Sequence, residues 1–367
     1  MAVAVVVFAA WLGLYNVAAT EGHNAFFGWF LHFVMRHSVQ ARATNRAGPS
    51  LDNPILIERG QVYADLRCSP CHGAPGRAPD IAAKQLLPPP PPIELLGAQF
   101  TPNQLHWIIK HGVKMSAMPP WASQERDDEI WTLAAYLERL RDNRREMFLP
   151  VEQRAGLGGT VTFGTCFACH GIDGNGRAGI FPKLAGLSSE YIRASLEDYR
   201  TSRRPSGFMQ PFAFYLNPEE IKKFADYFGA LTNRSSQDVP PAKGSAIGQG
   251  ARIAEMSEST RAGPACQTCH VREHQSLFPD IPDIAGQPAD YIETQLKLFR
   301  SGERSGSPNA EVMVRIAKGL SDTDIENVAA YFASLRSKPK TSGSAPPQGV
   351  DKRLEVPDAG RPDAWGP

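Results

Sequence analysis

The most constraining feature of this sequence is a cysteine pattern that occurs three times. The chain has 367 residues and six cysteines. All the cysteines fall into pairs in which two residues separate the cysteines and a histidine follows directly, so none is left outside the pattern. The three copies are Cys68-Ser69-Pro70-Cys71-His72, Cys166-Phe167-Ala168-Cys169-His170 and Cys266-Gln267-Thr268-Cys269-His270.

Cysteine pairs with this spacing have several chemical explanations. Disulfides, zinc sites and redox-active dithiols each account for a Cys-x-x-Cys pair, but none of them requires the adjacent histidine, and a zinc site joining two pairs would leave the third unused. The complete Cys-x-x-Cys-His pattern is the attachment site of a c-type haem, with the histidine as iron ligand. The sequence therefore predicts three covalently bound haem c groups, attached through Cys68, Cys71, Cys166, Cys169, Cys266 and Cys269, with His72, His170 and His270 on the iron.

The chain after residue 150 contains an internal repeat. Adding 100 to the residue number takes Tyr191 to Tyr291, and after a four-residue insertion a shift of 104 takes Met209 to Met313. The first haem motif belongs to a more distant unit, whose closing segment has the same helical spacing of apolar residues. The closing helices of the second and third units are predicted to begin with a capping box, at Asn217 with Glu220 and at Ser321 with Asp324. These patterns predict an N-terminal membrane anchor or signal segment (1–48), three haem modules (52–147, 150–234 and 245–337) and a disordered tail (338–367).

The sixth coordination position of each iron is either filled by a second ligand or open. A methionine ligand is typical of electron-transfer cytochromes, whereas an open position is typical of ligand binding or catalysis. We predict Met118, Met209 and Met313 as the ligands, with Met115 as the alternative to Met118. The repeat aligns Met209 with Met313 after polar stretches rather than on an apolar helical face. The competing interpretation is that these methionines fill gaps in the cores.

Two prolines are expected to orient the predicted iron-binding histidines. Pro182 and Pro282 each lie 12 residues after the histidine of their module. A carbonyl oxygen at this point accepts a hydrogen bond from the imidazole nitrogen that does not bind iron, which fixes the ring. The first module has too many prolines for its equivalent to be chosen.

The N-terminal segment is expected to direct the chain to a membrane or across it. Residues 2–19 form an apolar run of about 18 residues, the length of a transmembrane helix or of a secretory signal core, and an aromatic stretch at 26–31 suits a membrane interface. By the positive-inside rule, the basic residues after the run would place the following modules in the cytoplasm. Haem attachment, however, takes place outside the cytoplasm. We therefore expect a protein on the periplasmic side of the bacterial inner membrane, or an exported soluble form if the segment is cleaved.

Charge and composition exclude other classes of protein. Lys and Arg number 39 against 38 Asp and Glu, and the formal net charge is +1. A nucleic-acid-binding protein has a far more basic balance, so no nucleic-acid partner is expected. The apolar fraction of 42% is that of a folded chain.

Each module resembles a class I cytochrome c domain, and the pair from about 150 to 336 resembles the dihaem cytochrome c4 family. Besides the haem motifs, the likeness rests on Phe181-Pro182-Lys183-Leu184-Ala185-Gly186 and Ile281-Pro282-Asp283-Ile284-Ala285-Gly286. The first module, with Met118-Pro119, is similar to single-haem domains that accompany dehydrogenases. The resemblance implies an all-α fold class, with three tandem cytochrome c domains after an N-terminal hydrophobic helix, and histidine and methionine as axial ligands.

The predicted function is electron transfer rather than catalysis. We expect a trihaem cytochrome of a periplasmic or membrane-bound respiratory chain that carries electrons from a dehydrogenase donor to an oxidase or soluble cytochrome acceptor, as a separate carrier or as the cytochrome subunit of a dehydrogenase complex. Two alternatives stay open. One is a multihaem peroxidase-type enzyme with one open haem iron, and the other is a haem-based sensor subunit.

Overall fold

The computed structural model describes residues 2–18, 20–43, 47–141, 163–231, 244–255, 264–270 and 279–335. Within these ranges the chain forms helices joined by turns and contains no β-strand, which agrees with the predicted all-α class. The predicted disordered tail lies outside the described residues.

The N-terminal part forms two helices instead of one membrane-spanning helix. Helix α1 (Ala2–Trp11) has ten residues, and the chain then turns at Gly13, whose φ is 68°. A ten-residue helix is about 15 Å long, half the thickness of a bilayer core. After the turn, α2 (Ala25–Arg42) begins behind Asn24, whose side chain accepts from Phe27 N. None of the described helices is long and apolar enough to cross a membrane, so the predicted transmembrane helix is not found.

The first module is built on two helices that cross closely. Helix α3 (Pro54–Tyr63) packs against α7 (Asp127–Arg141), where a Cβ at Gly60 would overlap the Thr132 carbonyl oxygen. A π-helical turn follows α3 and leads into the haem motif, and an apolar cluster fills most of the core around the two helices. The other helices of this module are α4 (Ser69–His72), α5 (Ile93–Gln99) and α6 (Pro102–His111).

The second and third modules have matching closing helices with the predicted caps. Asn217 and Glu220 form a capping box at the start of one closing helix, and Ser321 and Asp324 form the same arrangement in the other. The N-cap side chain bonds a backbone N–H that lacks a partner in the first turn, which explains where both helices begin. The helices of the second module are α8 (Phe163–His170), α9 (Ser189–Arg200), α10 (Met209–Phe214) and α11 (Pro218–Ala230). Those of the third are α12 (Gly244–Glu255), α13 (Gln267–His270), α14 (Ala289–Ser301), α15 (Pro308–Lys318) and α16 (Asp322–Ser334).

The hydrophobic core of the first module continues into the second. Tyr63 of the first module stacks on Phe208 of the second, with ring centroids 3.5 Å apart, and the Trp121 ring lies 5.2 Å from the same phenylalanine. Arg59 of the first module connects all three modules. Its guanidinium donates to the Ile180 carbonyl oxygen of the second module at 2.6 Å and pairs with Asp290 of the third module at 2.6 Å. The segments predicted as separate modules therefore share buried contacts.

Candidate haem sites

The three Cys-x-x-Cys-His motifs lie at helix ends of the same kind. Helices α4, α8 and α13 each end at the histidine of their motif. In every case the histidine Nδ1 is within hydrogen-bond distance of a proline carbonyl oxygen. The distances are 2.8 Å from His72 to Pro91, 2.8 Å from His170 to Pro182 and 2.9 Å from His270 to Pro282.

These contacts determine which imidazole nitrogen carries the proton. A carbonyl oxygen only accepts, so Nδ1 donates, and Nε2 of the neutral ring keeps its lone pair. Burial lowers the pKa of His72, His170 and His270, with the proline carbonyl opposing that shift. The neutral ring is therefore favoured, and neutral imidazole is the form that ligates a metal.

The cysteine environment bears on the competing explanations of the motif. All six cysteines are half-buried. Burial raises the pKa of Cys68, Cys166 and Cys169 to about 12, whereas a redox-active dithiol needs a lowered pKa to supply thiolate. Among the described residues no three His, Cys, Asp or Glu side chains converge into a metal site. The raised thiol pKa values thus argue against the dithiol explanation.

The predicted methionine ligands occupy different positions in the helices. Met209 is the first residue of α10 and packs, half-buried, on the core of the second module. Met313 lies inside α15 and packs against the core of the third module beside the buried Ala310, Val314 and Ala317, so it does lie on an apolar helical face, contrary to expectation. In the first module Met118 is half-buried, whereas Met115 is 71% exposed. Burial therefore favours Met118 over Met115 as a candidate ligand.

A central cavity brings the site residues of the second module together. Cys169, His170 and Met209 line it, along with Tyr63 of the first module and Tyr291 of the third. The predicted iron-binding histidine and methionine of the second module therefore face one space. Both neighbouring modules help to enclose that space.

Two arginines, the buried Arg204 and the half-buried Arg304, cross between the second and third modules. Arg204 donates to Tyr291 Oη at 2.6 Å, and Arg304 donates to Tyr191 Oη at 3.5 Å. A shift of 100 takes Arg204 to Arg304 and Tyr191 to Tyr291, so the internal repeat relates the two contacts. The third nitrogen of the first guanidinium, Arg204 Nε, is buried and has no hydrogen-bond partner among the described residues.

Two family models match the chain at the first two haem motifs. Residues 57–137 match "Cytochrome C oxidase, cbb3-type, subunit III", and residues 157–232 match "Cytochrome c".

Curated relatives match over about half of the chain and most of their own length. The thiosulfate dehydrogenase electron acceptor of Stutzerimonas stutzeri is 36% identical over 174 residues, which are 47% of this chain and 80% of that protein. The protein of the same name from Thiomonas intermedia is 32% identical over 182 residues, covering 49% of this chain and 83% of the relative. Cytochrome c4 of Pseudomonas aeruginosa is 32% identical over 180 residues, covering 48% and 87%. The chain belongs to the cytochrome c family. It is a multihaem c-type cytochrome related to cytochrome c4, and its activity is electron transfer.

The residues of the central cavity fit a haem group. A buried guanidinium is costly to leave without an anion, yet the groups that bond to Arg204 are hydroxyls, such as Ser195 Oγ at 2.8 Å. Haem carries two propionate groups, and a carboxylate at Arg204 Nε would complete its hydrogen bonding. One cavity of the cytochrome is thus lined by the groups that a haem requires. They are the cysteine pair for covalent attachment, the free imidazole nitrogen of the histidine and an arginine that has no anionic partner in the described part of the chain.

Some residues of these sites were missed by the sequence analysis. Pro91, one of several prolines in a loop of the cytochrome, is singled out only when the chain folds back on His72. Arg204 and Arg304 could have been found from the sequence, because the internal repeat aligns the two arginines. Glu129, a buried acid of the first module that lines the central cavity, left none, since its position in α7 is that of an ordinary first-turn acid.

Proposed function

We propose that this cytochrome carries three haem c groups, one in each module, with His72 and Met118, His170 and Met209, and His270 and Met313 as the axial pairs. The observation that carries the proposal is the threefold recurrence of one arrangement: a Cys-x-x-Cys-His helix end whose histidine Nδ1 donates to a proline carbonyl oxygen. When bound, haem supplies a reversible one-electron couple at its iron.

The protein's own residues hold and tune that couple. The proline carbonyls fix each imidazole ring and increase its basicity. The methionines supply a neutral sulfur ligand that raises the reduction potential. In the second module, apolar residues and the tyrosines of the neighbouring modules line the cavity, which gives the site largely apolar surroundings.

The test is a haem-to-protein ratio together with the absorption spectrum of the oxidised full chain. A ratio of three, low-spin haem and the red-edge band of methionine-ligated ferric haem are expected. A ratio below three would overturn the trihaem assignment. A large high-spin fraction that binds carbon monoxide would instead favour the peroxidase-type enzyme or the sensor, because both need an open iron.

We further propose that the cytochrome accepts electrons from a periplasmic dehydrogenase and passes them to an oxidase or a soluble cytochrome. The names of two relatives, thiosulfate dehydrogenase electron acceptor, make thiosulfate dehydrogenase the first donor to test. Stopped-flow mixing of the oxidised cytochrome with that enzyme and thiosulfate should reduce the haems within the enzyme's turnover time. Failure to reduce them would exclude this donor while leaving the haem count untouched.

The N-terminal helices support a proposal of membrane association without a span. Helix α2 exposes Phe26, Trp29 and Phe33 on one side at 73%, 59% and 46%, and such an aromatic stripe suits a membrane interface. The full chain should float with phospholipid vesicles, and a variant with all three aromatics changed to serine should not. Equal flotation of both proteins would contradict the proposal.

A further inference from the structure

The carboxylate of Glu129 lies in the contact between the first and second modules. Its side chain is 2% exposed. Within the first module it accepts from Trp121 Nε1 at 3.0 Å and pairs with Arg126 Nη1 at 2.9 Å. From the second module it accepts from Ser206 Oγ at 2.8 Å and from Gly207 N at 2.7 Å. Four donors from both modules thus converge on one carboxylate.

The segment that Glu129 holds leads directly into the predicted methionine ligand of the second module. Ser206 Oγ, which donates to the carboxylate, also accepts from Met209 N at 3.0 Å. Gly207 is pressed against the Trp121 indole so closely that a Cβ there would overlap the ring. The chain from 206 to 209 is therefore fixed from outside its own module, by hydrogen bonds on one side and packing on the other.

A second arginine contact supports the same segment. Arg126 Nη1 donates to the Pro205 carbonyl oxygen at 3.0 Å, and the rest of its guanidinium pairs with both carboxylate oxygens of Asp128. Burial disfavours charge on Arg126, but the two neighbouring carboxylates outweigh it and raise the pKa of that arginine. Arg126 and Glu129 are thus both buried, and together they hold the segment before Met209 by hydrogen bonds.

We propose that Glu129 of the first module is a positioning residue for Met209 of the second, so that docking of the first module sets the axial ligation of the second haem. This inference rests on the proposed assignment of Met209 as an iron ligand. A carboxylate that accepts from Gly207 N and holds the Ser206 hydroxyl fixes where α10 begins. The start of α10 in turn fixes the direction of the Met209 side chain.

The test is the Glu129→Gln variant of the full haem-loaded chain. The amide keeps the size of the side chain, but its NH2 group meets a donor at Ser206 or Gly207. We expect loss of about one third of the red-edge methionine band and a lower midpoint potential for one of three haems, because methionine ligation raises the potential. Ser206→Ala, which removes the hydroxyl between Glu129 and Met209, should give the same change with a smaller amplitude.

The matched control is Glu138→Gln, the same chemical change further along α7. Glu138 pairs with Arg141 at 3.0 Å within the first module, so all three potentials and the full band should persist. An unchanged band and unchanged potentials in both Glu129→Gln and Ser206→Ala would overturn the proposal, as would an equal loss in the control. If Glu129→Gln does not fold, Ser206→Ala decides alone. A wild-type spectrum without a methionine band would instead refute the ligand assignment itself.

Discussion

The second and third modules share an internal sequence repeat, yet the segments before their candidate methionine ligands are held in different ways. Residues 204–208 of the second module are all buried, and 205–208 contact the first module, whereas residues 304–308 of the third are half-buried or exposed. In the third module Gly306 N donates to Glu311 Oε1 at 2.9 Å, so the local helix supplies the acceptor. In the second, Glu129 from another module supplies it.

This difference also appears in the helices. Helix α10 has six residues and begins at Met209, whereas α15 has eleven and contains Met313 in its interior. A regular helix satisfies its own backbone groups, so the backbone around Met313, inside α15, needs no acceptor from another module. The second module has a shorter helix and depends on its neighbour. The repeated sequence therefore gives both modules the same core arrangement. The contacts with neighbouring modules decide how the segment at the candidate methionine ligand is held in each copy.

The largest expected effect comes from removing the attachment cysteines of one module at a time. Cys166→Ala with Cys169→Ala should remove one haem and destabilise the whole chain, because the second module contacts both others. Cys266→Ala with Cys269→Ala should also remove one haem but leave the contact between the first two modules intact. Haem-to-protein ratio and limited proteolysis check this. Equal proteolytic sensitivity of the first module in both variants would contradict the comparison.

Tyr63→Ala should weaken the aromatic contact between the first and second modules, which the third module does not share. Tyr63 is 8% exposed and stacks on Phe208, and truncating a buried aromatic side chain costs about 3 kcal/mol of unfolding free energy. Denaturant unfolding measures the loss. Tyr331→Ala, in the core of the third module, is the matched control: it should lose a similar amount without changing the methionine band of the second haem. A band change in the control alone would show that the comparison is wrong.

Gln287→Ala should have a smaller effect, on the contact between the second and third modules. The Gln287 amide accepts from Lys183 N at 2.9 Å and donates to the Lys183 carbonyl oxygen at 2.8 Å, and both residues are buried. Leaving these backbone groups without partners should cost about 1–3 kcal/mol. The measurement is the thermal midpoint of the haem-loaded chain. A midpoint within error of the wild type would mean that water replaces the amide.

Exposed ion pairs should have the smallest effect in both modules. Asp322 pairs with Arg300 in the third module, and Asp226 pairs with Lys222 on α11 of the second. Exposed pairs are screened by water and salt. Asp322→Asn and Asp226→Asn should therefore leave the thermal midpoint nearly unchanged at physiological ionic strength. A clear drop in only one of them would reveal an unequal electrostatic contribution of the two closing helices.

Local signals in the sequence predicted much of the architecture. The capping boxes at Asn217 and Ser321 and the helices behind them are confirmed, because an N-cap depends on residues only three positions apart. The membrane-spanning helix was not found, because apolar content alone does not show that the chain turns at Gly13. The apolar helical surroundings of Met313 were missed for a related reason, since they depend on where α15 starts.

By itself the sequence determined the chemistry that is written in short spacings: six cysteines in three Cys-x-x-Cys-His motifs, the repeat, and the closing helices with their caps. Only the tertiary structure decided which groups meet across long distances in the chain. It selected Pro91 for His72, crossed Arg204 and Arg304 between modules, and placed Glu129 of the first module beneath the Met209 segment of the second. Short spacings fix local geometry, whereas a contact across 78 residues between Glu129 and Gly207 exists only because two separately patterned surfaces bury each other.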